Sequence, residues 1–172
     1  MRLAIFSDVH GNLTALKAVL ADVKRQASDW VLFAGDCCLM GARPAECLDV
    51  VRETADLAVY GNTDEWLAVA PPAKPDDLDT EKKQAGWQTF EDRLAWTRDA
   101  LGEERLGWLS RLPFAQRLAP TPNAADDLLM VHANPVDVLQ TIQPTAALQM
   151  EKTGFVFEDT TDEILRPLLE NV

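Results

Sequence analysis

Short apolar runs alternate with amphipathic stretches along the first third of the chain. Residues 3–6, 30–33 and 56–60 have the length and composition of buried strands. After Asn12, a residue that often caps helices, apolar side chains recur at helical spacing: Leu13, Leu16, Val19, Leu20 and Val23. Pro44 suits the first turn of a second helix, whose Leu48 and Val51 face inward. This pattern predicts a βαβαβ unit of parallel strands joined by right-handed crossovers.

The middle of the chain predicts a proline-rich loop at residues 70–75, followed by a helical segment over residues 80–111. Trp96 lies nearly opposite the other large apolar side chains of this segment: Trp87, Phe90, Leu94 and Leu101. Two interpretations remain open. The segment is either a helical layer packed on the sheet, or a cap in which Trp96 stacks on a base and Arg93 or Arg98 contacts a phosphate. Residues 114–119 and 128–132 then predict a hairpin in a second sheet, and residues 160–171 a further helix.

Composition narrows the class of protein. A chain of 172 residues with 47% hydrophobic content can bury a core as one domain over residues 1–172. The net charge of −12 argues against a general affinity for nucleic acid or for an anionic membrane surface. No signal-peptide pattern and no apolar run near the roughly 20 residues of a membrane span is visible, so we expect a cytoplasmic protein. Its three cysteines suit neither a zinc site nor a disulfide framework. We expect buried thiols, with a redox-sensitive thiol near Asp36 as the alternative.

Polar residues follow the apolar runs where strands should end. These residues are Asp8 and His10, then Asp36, then Asn62, then His132. Because ligands bind beyond the carboxyl ends of parallel strands, side chains far apart in sequence meet there. Carboxylate and imidazole ligands suit Mn, Fe or Zn better than Ca, and the lack of cysteine among them argues against a structural zinc site. An aspartate able to bridge predicts a pair of divalent ions roughly 3.5–4 Å apart.

In this order, Asp8-x-His10, Gly35-Asp36, Gly61-Asn62 and His132 resemble the calcineurin-like metallophosphoesterase family, and in particular its small bacterial phosphodiesterase branch. The resemblance implies an α/β fold, a four-layer αββα sandwich of two mixed sheets. It also implies that Asp8, His10 and Asp36 hold the first metal, with Asp36 bridging to a second metal on Asn62 and His132. Mn is the favoured ion, with Fe or Zn as alternatives.

The activity implied by the resemblance is hydrolysis of a phosphoester by a hydroxide held between the metals. A phosphodiester is favoured over a monoester, in a small molecule or a nucleotide. The rival hypothesis is a non-enzymatic scaffold or interaction protein on the same fold.

Two features depart from the family pattern. The closing Gly-His-x-His motif is absent, since His10 and His132 are the only histidines, and we expect a C-terminally incomplete domain that lacks its last strands. Thr63 stands where many relatives carry a histidine that protonates the leaving group. The candidate acid on the leaving-group side is then Asp64 or a metal-bound water. Asn12 is a candidate phosphate contact, a role that competes with its capping role.

Overall fold

A computed structural model describes residues 1–143, 149–150 and 160–170. The strands are β1 (Leu3–Phe6), β2 (Trp30–Phe33), β3 (Leu57–Ala58), β4 (Ala115–Leu118) and β5 (Leu128–Val131). The helices are α1 (Leu13–Arg25), α2 (Pro44–Thr54), α3 (Asn62–Ala68), α4 (Glu81–Leu109) and α5 (Asp162–Leu169), with a 3₁₀ turn at Ala124–Asp126. The protein is therefore a mixed α/β structure with two small sheets, and the predicted α/β class is confirmed.

The first sheet has the predicted βαβαβ order. Its three strands are parallel, with β2 between β1 and β3. The Asn12 side chain caps α1 by accepting a hydrogen bond from the Ala15 amide at 3.0 Å. The third strand, Leu57–Ala58, is shorter than the predicted 56–60, although the Asp56 and Val59 amides also donate to β2 carbonyls; the Tyr60 amide donates instead to the Pro113 carbonyl.

The second sheet is the predicted hairpin of β4 and β5. These strands are antiparallel, with Ala115 opposite Val131. An apolar cluster packs the two sheets together and contains Leu32, Ala34, Val59, Leu118 and Met130. Since β5 ends at Val131, His132 is the first residue beyond it and lies beside the first sheet.

The main core lies between the first sheet and the helices. Helix α4 packs against α2 and α3, and it buries Leu94, Leu101 and Leu109. The three cysteines are buried free thiols, as predicted. Helix α5 falls within the predicted 160–171, of which residue 171 lies outside the described residues. Within the described ranges, no helix combines the length and the apolar character needed to cross a membrane.

Candidate metal centre

The loops that follow β1 and β2 continue to pair after the strands end. The amides of Asp8, His10 and Gly11 donate to the carbonyls of the second loop at 3.0, 3.0 and 2.8 Å, respectively; those acceptors are Gly35, Asp36 and Cys37. Backbone hydrogen bonds are directional and short, so they fix one loop against the other. They bring Asp8 and His10 of the first loop beside Asp36 of the second.

Three of the predicted ligands have a strained backbone. The φ angles of Asp8, His10 and Asp36 are 55°, 46° and 64°. This left-handed region costs a residue other than glycine on the order of 1–3 kcal/mol, and it persists only where the surroundings enforce it. Such strain concentrates at functional sites, and here the paired loops enforce it.

His10 points one ring nitrogen at the two carboxylates. Its Nε2 lies 3.5 Å from Asp8 Oδ1 and 3.7 Å from Asp36 Oδ2. Its Nδ1 lies 3.1 Å from the Leu39 carbonyl oxygen. A carbonyl can only accept, so Nδ1 carries a proton, and in the neutral imidazole Nε2 is the nitrogen that can bind a metal beside the carboxylates. Ligand atoms of Asp8, His10 and Asp36 all lie within 4.8 Å of one another, close enough to hold one cation.

His132 repeats this arrangement on the other side of Asp36. Its Nδ1 lies 2.6 Å from the Ala34 carbonyl oxygen, which fixes the proton there. Its Nε2 then faces Asn62 Oδ1 at 3.2 Å and Asp36 Oδ1 at 3.8 Å. In the neutral imidazole Nε2 can bind a metal, and the oxygens of Asn62 and Asp36 beside it are ligand types that the same ion accepts. The donor set therefore fits a second divalent ion.

Asp36 lies between the two groups of ligands. It is only 3% exposed, with Oδ2 toward His10 and Oδ1 toward His132. The Thr63 amide donates to Oδ1 at 3.0 Å and holds the carboxylate in this orientation. The position suits the predicted bridging ligand. The role of each of these residues as a metal ligand stays a prediction.

Two glycines allow the three loops to approach one another. Gly35 has a φ of 96°, and a Cβ there would lie 2.5 Å from the Gly61 nitrogen. A Cβ on Gly61 would lie 2.8 Å from Asp36 Cγ. Both distances are too short for any side chain, so the site requires glycine at each position.

Asp64 lies behind the site and not on its open side. It is fully buried, and its carboxylate accepts hydrogen bonds from the amides of Asp36, Cys37 and Gly61 at 2.7, 3.1 and 3.0 Å, respectively. Burial raises the pKa of Asp64 to about 6, against the lowering effect of these hydrogen bonds. The predicted position of Asp64 on the leaving-group side is therefore corrected: its carboxylate holds the backbone around Asp36. Its place at the third residue of α3, where acidic side chains reach back to the preceding amide, was the available signal.

Thr63 is also turned away from solvent. Its side chain is 4% exposed, and its hydroxyl is buried without a hydrogen-bond partner in the described part of the chain. Neither Thr63 nor Asp64 therefore offers a proton on the open side of the centre.

Asp8 and His10 line a depression of about 630 Å³, whereas Asp36, Asn62 and His132 are not among its described lining residues. Its lining comprises residues 8–12, the loop 40–43, and Leu13, Thr14 and Lys17 of α1. Asn12 lines it as well, although its side-chain oxygen is committed to the cap of α1. Lys17 and Arg43 are cations that sequence reasoning missed, since only the folded loop 40–43 shows that they share one surface.

The three candidates on α4 do not converge on this depression. Arg93 comes nearest, with its Nη1 3.8 Å from the sulfur of Met40, a residue of the lining. Arg98 donates to the Leu67 carbonyl and lines a separate groove with Trp87. Trp96 is 51% exposed and is not part of the described lining. Of the three, only Arg93 has a described contact with a residue that lines the depression.

Comparisons with known proteins identify the family of this chain. Residues 1–156 match the family model of the calcineurin-like phosphoesterase superfamily domain. The chain is 30% identical over 133 residues to an uncharacterized protein of Methanocaldococcus jannaschii, a match that covers 77% of this chain and 49% of the relative. It thus spans about half the length of that curated relative.

Solved structures give the same family. A metallophosphoesterase from Sphaerobacter thermophilus superimposes with a TM-score of 0.62 at 29% identity, covering 90% of this chain and 56% of that one. A hypothetical protein from Pyrococcus horikoshii has a TM-score of 0.61 at 19% identity, covering 96% of this chain and 64% of that one, and it supports the fold alone.

Proposed function

Because this chain belongs to the calcineurin-like phosphoesterase superfamily, we propose that it is a metal-dependent phosphoesterase that cleaves a phosphodiester of a small molecule or nucleotide. The observation that carries the proposal is the position of Asp36 between two histidines that both turn Nε2 inward. The full fold we propose is the four-layer αββα sandwich. Its support is the apolar cluster between the two sheets and the helices packed on the first sheet.

The proposed site holds two divalent ions, with Mn favoured and Fe or Zn as alternatives. Asp8, His10 and Asp36 would hold one ion, and Asp36, Asn62 and His132 the other. Bound there, the pair would supply Lewis-acid polarisation of the phosphoryl group and a hydroxide at neutral pH. The imidazole ligands favour these metals over Mg or Ca, which prefer oxygen ligands alone.

The protein's own groups orient the reaction. Backbone carbonyls of Leu39 and Ala34 lock both imidazoles, so the ligands need no rearrangement when a substrate arrives. The Thr63 amide does the same for the Asp36 carboxylate. The open depression beside Asp8 and His10 receives the substrate.

Proton supply to the leaving group decides the preferred ester. Thr63 is buried and Asp64 lies behind the site, so neither side chain offers a general acid there. General acid catalysis raises the reaction rate by about 10²–10⁴-fold. The protein lacks this contribution at this position. We therefore propose a phosphodiester with a good leaving group as the substrate class, ahead of a monoester.

The test compares two nitrophenyl esters on the Mn-loaded protein. We expect a higher kcat/KM for bis(4-nitrophenyl) phosphate than for 4-nitrophenyl phosphate. His132→Ala should abolish both activities, while Lys24→Ala, at the far end of α1, should retain them. Equal or reversed kcat/KM values would refute the diester preference. No hydrolysis of either ester by metal-loaded protein would instead favour the scaffold function.

A further inference from the structure

We propose that Lys17 and Arg43 form a subsite for a second phosphate group of the substrate, beside the metal centre. This inference rests on the proposed function, because it concerns which phosphoesters that site selects. Both cations line the depression into which Asp8 and His10 open. We name the pair the Lys17–Arg43 wall.

The wall is fixed relative to the metal centre on both sides. Lys17 and Thr14 are three residues apart on α1, so they share the helix face that lines the depression. The Arg43 amide donates to the Gly11 carbonyl at 3.1 Å, which ties the loop 40–43 to the residue after His10. The two cations are therefore carried by backbone that is joined directly to the ligand loop.

The charge of the wall contrasts with that of the whole protein. The chain carries −12 overall, but the only acidic residue of the described lining is Asp8, which the metal would neutralise. Lys17 has no ion pair within the described part of the chain. Arg43 pairs through Nε with Glu46 at 2.6 Å, which engages one of the five guanidinium donors. The remaining donors suit the fork geometry of a phosphate.

The depression is also larger than one phosphate group requires. A volume of about 630 Å³ is in the range of pockets that hold nucleotide-sized ligands. A substrate with one phosphate at the metals would extend the rest of its structure along the wall. A second phosphate there would be attracted by two cations, whereas a neutral group would gain no such attraction. The selected class is thus a phosphodiester that carries another phosphate.

The matched substrates are thymidine 5′-(4-nitrophenyl phosphate) and the same compound with a 3′-phosphate. We expect the Mn-loaded wild type to have a lower KM for the doubly phosphorylated compound. Lys17→Gln and Arg43→Gln should each raise that KM by about 5- to 20-fold and leave the KM for the singly phosphorylated compound within about twofold. The kcat values should change little, since the wall binds a group remote from the reaction.

Two controls separate this role from general effects. Glu46→Gln removes the partner of Arg43 but keeps the cation, so it should not raise the KM for the doubly phosphorylated compound. Lys24→Gln removes one charge at the other end of α1 and should affect neither substrate. The Arg43 side chain makes no capping hydrogen bond to α2, so Arg43→Gln should fold normally, as circular dichroism will check.

A binding measurement keeps the subsite testable if the protein hydrolyses neither compound. By calorimetry, thymidine 3′,5′-bisphosphate should bind the Mn-loaded protein more tightly than thymidine 5′-monophosphate, and Lys17→Gln should remove the difference. Equal affinity of the two nucleotides in the wild type would overturn the subsite. A Lys17→Gln variant whose affinity for both nucleotides falls equally would also overturn the subsite. Failure of hydrolysis with the affinity difference intact would instead refute only the proposed activity.

Discussion

The ligand loops and the helices behind them are held together by different forces. Around Asp36, the loops are joined by backbone hydrogen bonds, strained φ angles and glycine contacts that leave no room for a side chain. Between α2 and α4, the contacts are buried apolar side chains such as Leu48 and Leu101, with ion pairs at the surface. The hydrogen bonds of the first region depend on direction, whereas the apolar contacts of the second region do not.

This difference predicts how each region responds to substitution. Apolar packing can relax around a smaller side chain, so damage among the helices should appear mainly in the free energy of unfolding. The positions of ligand atoms depend on distances of a few tenths of an ångström. Damage in the loops should therefore appear in metal affinity, out of proportion to any loss of stability.

The largest loss of stability is expected on the helix side. Leu48 is fully buried in the main core, and Leu48→Ala should lower the free energy of unfolding by about 2–5 kcal/mol. Metal affinity of the folded variant should stay within about twofold, as measured by calorimetry below its melting temperature. Val19→Ala, at a position 41% exposed on α1, is the matched control and should cost less than Leu48→Ala in urea denaturation. A large loss of metal affinity in folded Leu48→Ala would break the distinction between the regions.

The largest loss of metal affinity relative to stability is expected at Gly61. In Gly61→Ala the new methyl group would meet the Asp36 carboxyl. Either the carboxylate or the loop that precedes α3 must therefore move. We expect metal affinity to fall by at least about tenfold, equivalent to about 1.4 kcal/mol. Gly86→Ala is the matched control, because a Cβ there meets nothing within 4 Å and alanine is the better helix former. It should be slightly stabilising and leave metal binding unchanged; equal metal affinity in both variants would contradict the steric account.

The smallest effect is expected at the surface ion pair between α2 and α4. Arg105 donates to both carboxylate oxygens of Asp49 and lowers its pKa. A lowered pKa in the folded state stabilises the protein above the unfolded value of about 3.9, and the gain is lost as pH falls. Asp49→Asn should therefore cost about 0.2–1 kcal/mol at pH 7, and the cost should shrink as the pH falls through the lowered pKa of Asp49. If the loss of unfolding free energy in Asp49→Asn grew as the pH fell, the pair would not stabilise the protein through the lowered pKa of Asp49.

The sequence predicted the parts of the structure that depend on local pattern. Strand ends converge in any parallel sheet, so the proximity of Asp8, His10 and Asp36 followed from two apolar runs, residues 3–6 and 30–33. The role of Asp64 was missed because its three partners are backbone amides from two loops. The Lys17–Arg43 wall was missed for a related reason, since it exists only once loop 40–43 is tied to Gly11.

The most direct test of the two-ion account is a metal titration of the wild type and of Asp36→Asn. The wild type should bind two Mn ions per chain by calorimetry and by metal analysis after dialysis. Asp36→Asn should weaken binding at both positions, and more than Asn62→Ala does, because one carboxylate oxygen lies toward each group of ligands. Unchanged stoichiometry and affinity in Asp36→Asn would contradict the bridging role and with it the proposed centre.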